Sequence, residues 1–170
     1  MGDVEGALLR LRELYGKRSL GRSLRVRVLK RYAKLLLEKK DYRRAANVLD
    51  ELVSLKKDAE GMTMLAEAFL GEGRYTDALS GFKRALKMNE TDSCRVLYGK
   101  TLALAQLGRL KDAENSLDDL TGVCSNSDRL LRSLLELGKV EVDAGRIEQA
   151  RKRFGTLREK FPGTAEAGEA

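Results

Sequence analysis

The sequence predicts an all-α protein, a solenoid of antiparallel helix pairs, and three observations predict it. A six-residue phrase recurs five times: Gly2-Asp3-Val4-Glu5-Gly6-Ala7, Lys40-Asp41-Tyr42-Arg43-Arg44-Ala45, Gly73-Arg74-Tyr75-Thr76-Asp77-Ala78, Gly108-Arg109-Leu110-Lys111-Asp112-Ala113 and Gly145-Arg146-Ile147-Glu148-Gln149-Ala150. Its closing alanines lie 38, 33, 35 and 37 residues apart, the period of a repeat made of two short helices. Composition agrees, because aromatics make up 5%, Trp is absent and one Pro occurs, while the abundant Leu, Ala, Glu, Lys and Arg are strong helix formers. Between the phrases, apolar residues fall three and four apart, the spacing of one helix face.

The elements follow in order. In residues 1–25, Gly2, Asp3, Val4 and Ala7 match the turn, and Leu11 and Leu14 the stripe, of a second helix whose first helix is absent. This segment reads as a half repeat, either a cap or part of a longer protein. Residues 26–58 form the first full repeat, with Leu29, Tyr32, Ala33, Leu36, Ala45, Leu49 and Leu52 as its stripes and Lys40 where a turn glycine is usual. Residues 59–93 form the second. Met62, Leu65, Ala66 and Phe69 make one stripe and Tyr75, Ala78, Leu79, Phe82, Ala85 and Leu86 the other. Between them Gly71-Glu72-Gly73 breaks the chain, since glycine readily takes the left-handed conformation of a helix end.

Residues 94–130 form the third repeat through Leu97, Thr101, Leu104, Gly108, Ala113, Leu117 and Leu120, with Lys100 at a place that wants leucine. A turn-rich link from Gly122 to Asp128 lengthens this step, and Ser127 or Asp128 is expected to cap the next helix. Residues 131–164 form the fourth, carrying Leu134, Leu137, Gly138, Ala150, Phe154, Leu157 and Pro162, with Glu141 at an aromatic place. Lys100 and Glu141 are expected either to rotate their helices slightly or to extend their charged tips to water. Residues 165–170 read as a tail or the frayed start of another helix.

These positions resemble the tetratricopeptide repeat, whose consensus has a large apolar residue at 4, Leu at 7, a small residue at 8, an aromatic at 11, Ala at 20, an aromatic at 24, Ala at 27 and Pro at 32. Met62, Leu65, Ala66, Phe69, Ala78, Phe82 and Ala85 meet it in the second repeat, with Glu90 in place of the proline. The resemblance covers nearly all of residues 26–164 and implies a right-handed superhelix. It also implies that the first helices of the units line a concave groove that holds a peptide or helix of a partner protein. The groove positions so implied are Arg27, Lys30 and Lys34 in the first repeat, Thr63 and Glu67 in the second, Arg95, Tyr98 and Leu102 in the third, and Arg132, Leu135 and Lys139 in the fourth. Lys34 and Met64 occupy the places where the chaperone-binding version of the groove has Asn, which disfavours that ligand.

Charge sharpens the expectation of a partner. The chain carries a net +7, but residues 1–57 hold +9 and residues 58–170 hold −2. The partner expected at the basic end of the groove is therefore an acidic protein segment. Two other classes compete: nucleic-acid binding through the basic N-terminal third, which lacks aromatic platforms for bases, and self-association through exposed solenoid ends.

Chemistry is not indicated. There is no histidine, which removes the usual general base and an ordinary four-ligand zinc site. Tyr98-Gly99-Lys100-Thr101 holds the Gly-Lys-Thr of a phosphate loop, but Cys94 stands where the further glycine is required and the segment reads as helix. Cys94 and Cys124 are read as two ordinary thiols in a reducing compartment. The longest apolar run is Leu102–Ala105, far too short to span a bilayer. The expectation is a cytoplasmic binding protein without catalytic residues, cofactor, metal or small-molecule substrate.

Overall fold

The computed structural model describes residues 4–17, 19–88, 91–125 and 127–169. Gly2, Asp3, Glu90 and Asn126, named above in the first phrase, the missing-proline position and the long link, lie outside the described residues. Among the described residues the chain is helix and turn without strands, and it divides into two compact units, residues 1–91 and 92–170.

The first unit contains α1 (Val4–Gly16), α2 (Arg22–Glu38), α3 (Tyr42–Leu55), α4 (Ala59–Gly71) and α5 (Tyr75–Ala85). Each helix packs on the next in sequence order. Its core joins Leu29, Tyr32, Ala33 and Leu36 of α2 to Ala45, Val48, Leu49 and Leu52 of α3 and to Met64, Leu65 and Ala68 of α4. Each fully buried leucine of this kind contributes about 1.5–3 kcal/mol. Helix α1 buries no residue completely, but Leu8, Leu11 and Tyr15 pack against that core. Arg25 ties down its C-terminal end by donating to the carbonyls of Tyr15 at 2.7 Å and Lys17 at 3.1 Å. The same guanidinium grips Glu51 of α3 through two hydrogen bonds of 2.6 and 2.9 Å.

The second unit contains α6 (Ser93–Gln106), α7 (Leu110–Val123), α8 (Asp128–Asp143), α9 (Ile147–Lys160) and the short α10 (Ala165–Glu169). Here α6 pairs with α7 and α8 with α9, while α6 also lies along α8. Ser127, one of the two expected caps, accepts from the Leu130 N–H and starts α8.

The recurring phrase is the joint inside each pair. Lys40, Gly73, Gly108 and Gly145 all have positive φ, between 58° and 77°. The following N–H returns to a carbonyl five residues back: Asp41 to Leu36, Arg74 to Phe69, Arg109 to Leu104 and Arg146 to Glu141, at 2.8–3.0 Å. This is a left-handed helix stop that satisfies orphan carbonyls. In α5 and α7 the phrase's arginine then donates to its aspartate across the first turn, Arg74 to Asp77 at 2.9 Å and Arg109 to Asp112 at 2.8 Å. The phrase's alanines, Ala45, Ala78, Ala113 and Ala150, are buried where the helices meet.

Two sequence expectations are corrected in the second unit. Glu141 does not reach water: it is 0% exposed and receives Arg153 at 3.0 Å. Arg153 also lies 3.6 Å from Glu114, which pairs with Arg146 at 2.9 Å. A buried carboxylate persists only when paired and hydrogen-bonded, so the aromatic place is filled by an ion network joining α7, α8 and α9. Lys100 keeps its ammonium near the surface, 3.7 Å from Asp119. The second correction concerns the cysteines, which are not free thiols. Cys94 in the first turn of α6 and Cys124 at the end of α7 form a disulfide with Cα atoms 5.9 Å apart, inside the usual range. The antiparallel pairing of α6 and α7 returns the chain to its starting end and so closes a gap of 30 residues.

Candidate functional site

In the first unit the predicted residues lie on α2 and α4. Arg27, Lys30 and Lys34 are spaced by three and four, which places them on one face of α2. Lys30 and Lys34 converge on a single carboxylate, Glu60 in the first turn of α4. Lys30 Nζ pairs with Glu60 Oε2, and Lys34 Nζ lies 3.0 Å from Glu60 Oε1. Partial burial would raise the Glu60 pKa, but hydrogen bonds from the two ammonium groups outweigh it and hold the carboxyl below its ordinary value. Arg27 is exposed and borders an open depression of about 510 Å³ with Arg22, Val26, Leu55 and Lys56. Glu67 is half-buried one heptad beyond Glu60.

Thr63 does not belong to this surface. It is only 4% exposed, and its hydroxyl donates to the Ala59 carbonyl at 2.7 Å within its own helix. Its position on the helix wheel matches that of Glu60 and Glu67, yet the packing around α4 covers the shorter side chain.

In the second unit the structure brings together Tyr98 of α6 and Arg132 of α8. With Ser127, Asp128 and Arg129 they line an open depression of about 460 Å³. Burial pushes the Tyr98 hydroxyl pKa up, and the neighbouring Arg132 opposes that rise without cancelling it. Arg129 reaches toward Asp92 at 4.0 Å, so sequence reasoning missed one cation of this cluster. Its signal was available in the turn-rich link, which delivers the first turn of α8 beside α6.

The remaining predicted positions scatter. Arg95 and Leu102 are half-buried along α6, and Lys139 is exposed beside Glu136 at 3.5 Å. Leu135, expected to offer apolar contact, is 7% exposed and belongs to the core of the second unit. No group of side chains among the described residues could hold a metal ion. None of the helices is long and apolar enough to cross a membrane, again among the described residues.

Comparison with known proteins fits these helix pairs. Residues 38–120 match the family model of the anaphase-promoting complex, cyclosome, subunit 3, and residues 135–168 match a tetratricopeptide-repeat model. The chain belongs to the tetratricopeptide-repeat family. Members of this family bind other proteins or peptides and are generally non-catalytic scaffolds. No curated protein sequence matches this tetratricopeptide-repeat chain significantly.

Solved structures show the same fold. A MamA fragment from Desulfovibrio magneticus RS-1 superposes with a TM-score of 0.76 at 18% identity, covering 96% of this chain and 89% of that one. YrrB, described as a TPR protein with an unusual peptide-binding site, gives 0.74 at 16% identity over 98% of this chain and 82% of its own. A putative kinesin light chain of Podosopora anserina gives 0.71 at 16% identity, covering 94% and 87%. At these identities the likeness establishes the all-α solenoid architecture.

Proposed function

We propose that this tetratricopeptide-repeat chain is a protein-interaction scaffold that takes a peptide or helix of a partner protein against the first helices of its repeats. The observation that carries this reading is the convergence of Tyr98, Arg129 and Arg132 on one open depression. Tyrosine and arginine are the side chains most often found at interface hot spots, because each combines a large apolar or planar body with a directional polar end. Lys30, Lys34 and Arg27 offer a second, cationic contact on α2 in the other unit. The peptide-binding site named for YrrB supports the same use of the fold by analogy.

The partner is read as another protein, with an acidic segment suited to the cations of α2. The test is an affinity capture on the whole chain with partners identified by mass spectrometry, repeated with Tyr98→Ala plus Arg132→Glu and with Lys30→Glu plus Lys34→Glu. Losing the top interactor in either variant, with helicity unchanged by circular dichroism, is the expected result. A partner retained by both variants would place the binding surface elsewhere.

A further inference from the structure

Glu60 is a built-in occupant of the lysine site. Its two oxygens are divided between Lys30 and Lys34, each ammonium taking one. That is the arrangement an incoming carboxylate would adopt. The three side chains remain open to water, with exposures of 33% for Lys30, 50% for Lys34 and 38% for Glu60. A pair this exposed shifts an equilibrium by no more than about fivefold, so a ligand held by other contacts can exchange for it.

The neighbouring acid does not play this part. Asp58 accepts from the Gly61 N–H at 2.7 Å as the cap of α4 and pairs with Lys56 at 2.8 Å. It is committed to the helix end, whereas Glu60 contributes to no cap. Two cations facing one carboxylate leave a local charge of +1. That residue of charge still attracts an anion, while a neutral chain supplies no carboxylate to replace the one on Glu60.

We infer that Glu60 is an intramolecular stand-in for a carboxylate of the partner, and that binding of an acidic protein segment displaces it from Lys30 and Lys34. The inference rests on the proposed use of the α2–α4 face and names the chemistry of its ligand. It makes Glu60 a specificity device: a partner must supply its own carboxylate to replace the one it removes, so acidic segments are selected over neutral ones of equal shape.

The experiment measures fluorescence anisotropy of a labelled hexaglutamate peptide, with hexaglutamine as its neutral counterpart, on the whole chain. Glu60→Gln is expected to tighten hexaglutamate binding by about threefold to fivefold and to leave hexaglutamine unchanged. Lys30→Gln plus Lys34→Gln is expected to weaken hexaglutamate binding, and adding Glu60→Gln in that background to restore nothing. Glu60→Ala serves as a second variant with high helix propensity, and the thermal midpoint is read on every sample. A structural role for Glu60 would lower both stability and affinity.

If the lysine pair matters but Glu60→Gln leaves binding unchanged or weaker, the inference is overturned and the proposed binding face stands. A gain that persists without the two lysines also overturns it, because it would reflect only the change in net charge. If removing the lysines changes nothing, the binding face at α2 fails and the inference falls with it.

Discussion

At the scale of the residue, Lys40 is the clearest departure from the pattern. It holds φ at 58° where the equivalent turns have Gly73, Gly108 and Gly145. A side chain in the left-handed region crowds the following carbonyl at a cost of about 1–2 kcal/mol, part of which glycine gives back through its freer unfolded chain. Lys40→Gly is therefore expected to stabilise the protein by about 0.5–1 kcal/mol, read as a higher urea midpoint at unchanged slope. A lower midpoint would mean that the lysine side chain contributes more than its backbone strain removes. The recurring arginine and aspartate of the phrase have a comparably local meaning. Arg74–Asp77 and Arg109–Asp112 close the first turn of helices that have no side-chain cap.

At the scale of the element, the helix pair of α8 and α9 depends on a polar device within an otherwise apolar joint. Removing Arg153 leaves the 0%-exposed Glu141 carboxylate without its main partner. Arg153→Met is expected to cost about 3–5 kcal/mol, seen in chemical denaturation. The double change Glu141→Met plus Arg153→Met should recover most of that loss, since an apolar pair of similar volume removes the desolvation penalty for both charges. A double variant as unstable as the single one would show that the packing, and not the unpaired charge, is responsible. Small residues set the approach of the same helices. A methyl added at Gly138 would lie 2.5 Å from the Phe154 ring, which is why the small residue expected at this place is glycine here.

The helix stripes also show what a sequence can report about an element. Leu29, Ala33 and Leu36, or Ala78, Leu79 and Phe82, were legible because helical spacing alone decides which face turns inward, and all six are buried. The family resemblance, and not helical spacing, puts Thr63 and Leu135 on a ligand-facing surface. Both are buried, because their exposure depends on how far neighbouring helices overlap them, and spacing within one helix carries no record of that. The meeting of Tyr98 with Arg132, and of Lys30 and Lys34 with Glu60, belongs to the same class. Each partner was visible in the sequence, but the convergence required the helices to be placed.

At the scale of the whole molecule, the two compact units are secured differently. The first relies on its apolar core and on exposed or half-exposed ion pairs such as Lys34–Glu60, while the second adds the Cys94–Cys124 disulfide. Closing a loop of this length restricts the unfolded chain by an amount equivalent to about 3–4 kcal/mol. Reduction with dithiothreitol is therefore expected to speed hydrogen exchange through α6–α9 and to leave α2–α5 unchanged. Free-thiol titration on the same samples reports the redox state. Unaltered exchange in α6–α9 after complete reduction would show that the disulfide adds nothing to the stability of that unit.

The sequence by itself determined the helices, their joints and the family, because periodicity, left-handed turns and a small alanine after each turn are local features that each repeat states again. Only the tertiary structure decided which charges are neutralised internally, which cysteines meet and which predicted surface positions are covered. Those outcomes depend on distances between residues 12 to 34 positions apart, as for Glu141 with Arg153, Lys34 with Glu60, Cys94 with Cys124 and Tyr98 with Arg132. Charge and burial act through space, and the repeat pattern fixes the order of the helices without fixing what their side chains find on arrival.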